Sequence, residues 1–163
     1  MKFIKTQINP WSCMPAIAMI ESMKCMPKVI DMPFDVPIAK TSTTINGFQP
    51  LLENLMTISA PNFFPLQNEI YKVLDEFNIE GTINRSWVVS YDRDGYQLPH
   101  NHRDNNQTYS GIVCLLGGRG GELCFEDRSY SLIQGDVLIF DAGEKHWTMK
   151  CDSPKIVLSF DMI

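Results

Sequence analysis

The segment Trp87-Val-Val-Ser-Tyr91-Asp-Arg-Asp-Gly95-Tyr-Gln-Leu-Pro-His100-Asn-His102 marks the change in this chain from helical to strand-like patterning. Trp87–Tyr91 is apolar and rich in β-formers, and Asp92–Gly95 has the composition of a turn. Tyr96–His102 then reads as a strand ending in a His-x-His pair. Side chains on an extended chain alternate between faces, so the two imidazoles share one face. Further strand patterns follow at Tyr109–Leu116, Glu122–Glu126, Ser129–Leu132, Val137–Phe140, His146–Cys151 and Lys155–Met162. Glycines interrupt them at Gly117-Gly118-Arg119-Gly120-Gly121 and at Gln134-Gly135. Seven or eight short strands of this kind predict a sandwich or barrel. The chain has three histidines. The third, His146, opens a later strand. Three imidazoles brought to one place suit Fe, Zn, Cu or Ni and leave the opposite coordination positions open for catalysis.

Upstream the pattern differs. Residues 1–45 are rich in Met and Pro and carry no long period. Pro15 suits the first turn of a short helix over Ala16–Met23, and Val29–Met32 reads as a short strand. Leu51, Leu52 and Leu55 form an apolar stripe within a predicted helix over Phe48–Met56. A stronger stripe joins Leu66, Ile70, Val73, Leu74 and Phe77, with Asn78 at the expected stop. Helices first and strands afterwards predict an α+β, mainly β fold. We expect one domain over residues 1–163. Residues 1–86 would supply helical and irregular support on one sheet, and residues 87–163 the β core.

Composition narrows the function. With 44% apolar and 20% charged residues, the 163-residue chain has enough apolar content for one substantial core. A net charge of −5 argues against non-specific nucleic-acid binding and toward a small-molecule or protein substrate. No apolar run approaches membrane length, and Asn9, Pro10 and Ser12 interrupt any leader-like stretch near the start. The five cysteines are odd in number, irregularly spaced and without a CxxC, as reduced thiols in a cytoplasmic protein would be.

Read in order, the C-terminal half shows Tyr91-x3-Gly95-x4-His100-x-His102, then Gly120-Gly121-Glu122-Leu123-x-Phe125, then Gly135-Asp136-x3-Phe140-x5-His146-x8-Lys155-x3-Ser159. This order and spacing resembles the Fe(II)- and 2-oxoglutarate-dependent oxygenases, in their prolyl-hydroxylase-like branch. It is most similar to small bacterial and phage members whose first metal motif reads His-x-His. The resemblance covers residues 87–162. It implies a double-stranded β-helix (a cupin-like jelly roll) with helices on one sheet. It also implies Fe(II) as cofactor, 2-oxoglutarate as cosubstrate, O2 as co-reactant, and a hydroxylated product released with succinate and CO2. Lys155 stands where the family places the cation that anchors the distal carboxylate of 2-oxoglutarate. Ser159, four residues on and so on the same strand face, would add a hydroxyl to that clamp. Tyr91 matches a position that donates a hydroxyl to the cosubstrate in relatives.

The usual motif of the family is His-x-Asp…His, and here the chain departs from it. Keeping Gly95 five residues before the first ligand gives His100, His102 and His146. Shifting by two gives His102, Asp104 and His146, which restores a carboxylate. Strand parity allows either set. Other classes compete. Gly135-x5-Asp141-x-Gly143-x2-His146 approximates the second motif of the cupins, with Asp141 and Lys150 replacing the usual Pro and Asn. In that reading the protein binds or uses a metal without 2-oxoglutarate, and Gln107 is the nearest substitute for a missing Glu. Trp11-Ser12-Cys13 resembles the nucleophile segment of papain-like peptidases, which would need one of the same histidines as partner. A metal-free jelly-roll binding module completes the set.

Overall fold

A computed structural model of the chain describes residues 3–29, 43–49, 60–103 and 106–163. Strand β1 (Ile4–Gln7) leads through a short 3-10 turn at Pro10–Cys13 into helix α1 (Met14–Val29). Strand β2 (Thr44–Phe48) precedes helix α2 (Phe64–Glu76). The strands β3 (Ile83–His100), β4 (Tyr109–Leu116), β5 (Leu123–Phe125), β6 (Ser129–Tyr130), β7 (Asp136–Asp141), β8 (His146–Thr148) and β9 (Lys155–Met162) complete the order. Neighbouring strands run β1-β7-β4-β9-β3-β8-β5-β6, with β2 also paired to β3. Every strand pairing among the described residues is antiparallel.

Strand β3 joins the two halves of this arrangement. Its first part pairs with β9, from Arg85 opposite Asp161 to Tyr91 opposite Lys155. Its last part pairs with β8, placing His100 opposite His146. Between them lies the predicted turn Asp92–Gly95, which the structure corrects. The four residues form a bulge within one continuous strand, set against Asn46 of β2, with Asp94 at φ 63°. Hydrogen bonds from Asp94 N–H to the Cys151 carbonyl and from Cys151 N–H to Gly95 hold the bulge shut. Backbone pairing with β2 and Cys151 therefore overrides the turn chemistry of Asp-Arg-Asp-Gly.

Alternation along the central strands splits the core into two. Val88, Val113, Val137, Ile139, Ile156, Leu158 and Phe160 face α1 and α2, where Ala16, Ile20, Leu66, Ile70 and Val73 meet them. Their neighbours Val89, Tyr91, Ile112, Cys114, Leu138, Phe140 and Val157 face inward, against Leu123 and Phe125 of β5. The rings of Phe125 and Phe140, on strands that are not paired, meet edge to face at 5.0 Å. Two β-layers thus face each other as a double-stranded β-helix, with the helices on one outer face. Gly111 is a packing requirement, since a Cβ there would stand 2.1 Å from the Phe160 ring.

Other expectations are refined. The first helix is longer than Ala16–Met23 and includes Val29, whose predicted strand otherwise falls outside the described residues. Phe48 ends β2 rather than opening a helix, and residues 50–59 of that predicted helix lie outside the described residues. Helix α2 buries Leu66, Ile70, Val73 and Leu74 as its spacing predicts, and Asn78 follows it at φ 49°. Strand β1, not anticipated, pairs with β7. No helix among the described residues is long and apolar enough to cross a membrane.

Candidate active site

His100 is the last residue of β3, His102 lies just past its end, and His146 is the first residue of β8. The cross-strand pairing of His100 with His146 brings the third imidazole to the other two. One ring nitrogen from each lies within 4.8 Å of the others. Ring centroids are 4.4 Å apart for His100–His146 and 5.0 Å for each pair involving His102.

Hydrogen bonding decides which nitrogens are available. Nδ1 of His100 lies 2.8 Å from the Leu98 carbonyl, and Nδ1 of His146 lies 3.0 Å from the Glu144 carbonyl. Nδ1 of His102 lies 2.8 Å from Oδ1 of Asp161. All three acceptors require an N–H at Nδ1, so the lone pair of each ring sits on Nε2. His146 is 2% exposed. Burial, reinforced by His100, pushes its imidazole down to about 3, and burial also lowers His100. Neutral rings with fixed tautomers are what a divalent cation needs as ligands. Asp104, the alternative ligand, lies outside the described residues.

These histidines line a pocket that also contains Trp87, Tyr91, Lys155 and Ser159, with apolar walls from Ile112, Leu123, Leu132 and Val157. The cavity itself is small, about 10 Å³, and is partly open to solvent. Strand β9 supplies one whole side. Lys155, Val157, Ser159 and Asp161 alternate with the outer-core residues and share the inward face. Lys155 is 3% exposed, and its ammonium donates to the carbonyl of Gly121. Burial lowers its pKa, and no carboxylate among the described residues forms an ion pair with it. Gly121 has φ 68°, and a Cβ on it would stand 2.6 Å from Cys151 Sγ. The Gly120-Gly121 pair therefore places a carbonyl where a side chain would not fit. The Tyr91 hydroxyl, buried and so raised in pKa, donates to Gln97 Oε1 at 3.1 Å and lies 3.5 Å from Thr148 Oγ1.

Sequence reasoning missed Asp161, Ser110, Arg85 and the carbonyl of Gly121. Strand parity carries a signal for Asp161, because 155, 157, 159 and 161 lie on one face. Cys13 is fully buried, and burial raises its thiol pKa. The three histidines gather elsewhere, in the pocket between the layers, so no nucleophile–base pair forms at Cys13.

No protein-family model matches the chain, and no curated protein matches it in sequence. Solved structures do match in fold. A prolyl-4-hydroxylase from Pseudomonas putida superposes with TM-score 0.69 at 10% identity, covering 98% of this chain and 91% of that one. The viral collagen prolyl hydroxylase of Paramecium Bursaria Chlorella virus-1, in a 2-oxoglutarate complex, gives 0.69 at 12% identity, with 99% and 95% covered. HygX from Streptomyces hygroscopicus, with nickel, 2-oxoglutarate and hygromycin B bound, gives 0.67 at 11%, with 98% and 82% covered. The chain has the fold of the prolyl-hydroxylase-type 2-oxoglutarate oxygenases, and it carries a His-x-His…His cluster within that fold.

Proposed function

We propose that this protein is an Fe(II)- and 2-oxoglutarate-dependent dioxygenase that hydroxylates a small-molecule or peptide substrate. One observation carries the reading. Three imidazoles whose Nδ1 atoms are engaged, leaving Nε2 for a metal, line the same pocket as a buried lysine that forms no ion pair with a carboxylate among the described residues. The donor set suits Fe(II), and the cation suits the far carboxylate of a dicarboxylic cosubstrate.

In this reading His100, His102 and His146 hold the metal on one face. Lys155 and Ser159 bind the C5 carboxylate, and burying an ammonium is costly unless such an anion arrives. Tyr91 gives the cosubstrate a hydroxyl in exchange for its bond to Gln97. Ile112, Leu123, Leu132 and Val157 keep water from the cosubstrate chain. Bound Fe(II) and 2-oxoglutarate supply the oxidation, in which O2 and 2-oxoglutarate become succinate, CO2 and one hydroxyl on the substrate. Solved relatives include one holding a peptide fragment of hypoxia inducible factor and one holding hygromycin B, so the fold accommodates both substrate classes. We propose that residues 1–163 act as one domain, with 1–86 supporting the core of 87–163. All five cysteines are free thiols, which favours a reducing, cytoplasmic setting.

Anaerobic titration of the Fe(II)-loaded protein with 2-oxoglutarate tests the proposal. A visible metal-to-ligand charge-transfer band is expected, because the keto acid chelates the metal. Tightly bound metal with no band would favour a cupin-type metalloprotein that does not use 2-oxoglutarate. Failure to bind metal would leave a binding module.

A further inference from the structure

We infer that Asp161 is a positioning residue of the centre, which delivers a negative charge to the metal through His102; this rests on the metal-binding reading above. As metal ligands the three imidazoles would each be neutral, so a divalent cation would receive no charge compensation from them. Two of them give their Nδ1 proton to neutral backbone carbonyls, at Leu98 and Glu144. His102 differs. Its Nδ1 faces a carboxylate that is 0% exposed.

That carboxylate is held from both sides of β9. On β4, Ser110 stands directly opposite Asp161, and its hydroxyl donates to Oδ1 at 2.7 Å. On β3, Arg85 stands opposite, and its Nη2 and Nε donate to Oδ2 at 2.7 and 3.1 Å. Oδ1 is thereby fixed toward His102, and Oδ2 is turned away. An apolar side chain at 161 would pack the inward face at less cost, since a buried carboxylate must recover its desolvation through such bonds. Arg85 offsets part of this charge, but it binds Oδ2 from a side chain that is 37% exposed, while Oδ1 is left to His102 and Ser110. A carboxylate accepting the Nδ1 proton makes the opposite nitrogen a stronger donor and fixes the ring plane. His102, flanked by Trp87 at 5.3 Å between ring centroids, is thus set to act as the anionic-like member of a neutral triad.

Ni(II) affinity, measured by competition with a chelator, provides the test. Asp161→Asn keeps the shape and an acceptor but removes the charge, and it should weaken Ni(II) binding by about 10–100-fold. Ser110→Ala, which keeps the charge, should cost less. In a His102→Asp background the carboxylate is itself the ligand, and adding Asp161→Asn should then cause no further loss. A folded Asp161→Asn protein with unchanged affinity would overturn the inference. Equal losses in both backgrounds would also overturn it, by showing a merely structural role. A measurement on the unsubstituted protein stands apart from any folding defect. In the Zn(II)-loaded state, the ring N–H resonance of His102 should lie downfield of those of His100 and His146, and coincidence of the three would refute the charged bond. Absence of Ni(II) binding in the unsubstituted chain would overturn the proposed function and this inference together. Ni(II) binding that weakens in Asp161→Asn but supports no 2-oxoglutarate band would overturn only the cosubstrate reading.

Discussion

Lys155 donates its buried ammonium to the carbonyl of Gly121, a residue held at φ 68° by the Gly-Gly turn that opens β5. The bond satisfies one proton of an ammonium with three to place, and it points the side chain into the pocket. No carboxylate among the described residues forms an ion pair with it, which leaves the ammonium able to receive an anion.

Lys155→Ala should therefore separate the two functions of the pocket. Metal affinity should be retained, and 2-oxoglutarate should bind the metal-loaded protein about 10–100-fold more weakly, as expected for a charge-assisted bond of about 1.5–3 kcal/mol. Calorimetric titration of the Ni(II)-loaded protein with 2-oxoglutarate reads this directly. Unchanged cosubstrate affinity would remove Lys155 from the clamp.

His146→Ala should abolish stoichiometric binding of Fe(II) or Ni(II), because two imidazoles cannot define the face that three do. The same substitution should erase the thermal stabilisation that a divalent cation confers on the native protein by binding only the folded state. Melting curves with and without Ni(II) check both points. A variant still stabilised by Ni(II) would show that the cation binds elsewhere.

The metal-free protein should lose stability as the pH falls from about 6.5 toward 3. His146 sits near 3 in the folded chain and near its ordinary 6.5 when unfolded, so in that window the unfolded state binds the extra proton. Stability is fully present above about 6.5, and His100, shifted in the same direction, adds to the slope. Urea denaturation at several pH values should show this dependence, and it should flatten in His146→Asn. An equally steep slope in that variant would assign the effect to other groups.

Gly111→Ala should destabilise by about 1–3 kcal/mol, the usual cost of overpacking. The new Cβ would overlap the Phe160 ring, which is buried between sheet and helices. Phe160→Leu in the same background should recover part of the loss, since the two residues are in contact and their effects will not add. Chemical denaturation of the single and double variants measures the coupling.

The β core was legible because a strand buried on both faces is a continuous apolar run, which is a local property of the sequence. Val137, Leu138, Ile139 and Phe140 are all buried, and each strand of this kind appears in the sequence as an apolar run. The α2 stripe was legible for the same reason. Asp92–Gly95 was misread because the same four residues serve as well in a bulge as in a turn, and only pairing with β2 and Cys151 selects between them. Strand β1 was missed because four mixed residues become a strand only beside β7.

The sequence by itself determined the residue types of the site: three histidines, one inward lysine, and a Gly-Gly turn ahead of a short strand. Their chemistry depends on the side chains alone, and their order along alternating strands restricts which faces they share. The tertiary structure decided how these groups act. His100 meets His146 across 46 residues of chain only because β3 and β8 pair. The Nδ1 partners, which assign every lone pair to Nε2, are two carbonyls and one carboxylate brought together by folding. Asp161 shows the division most plainly. Parity places it on the inward face of β9, but its role arises from Arg85 and Ser110 on the flanking strands and from His102, and hydrogen bonds between distant segments leave no periodic trace in a sequence.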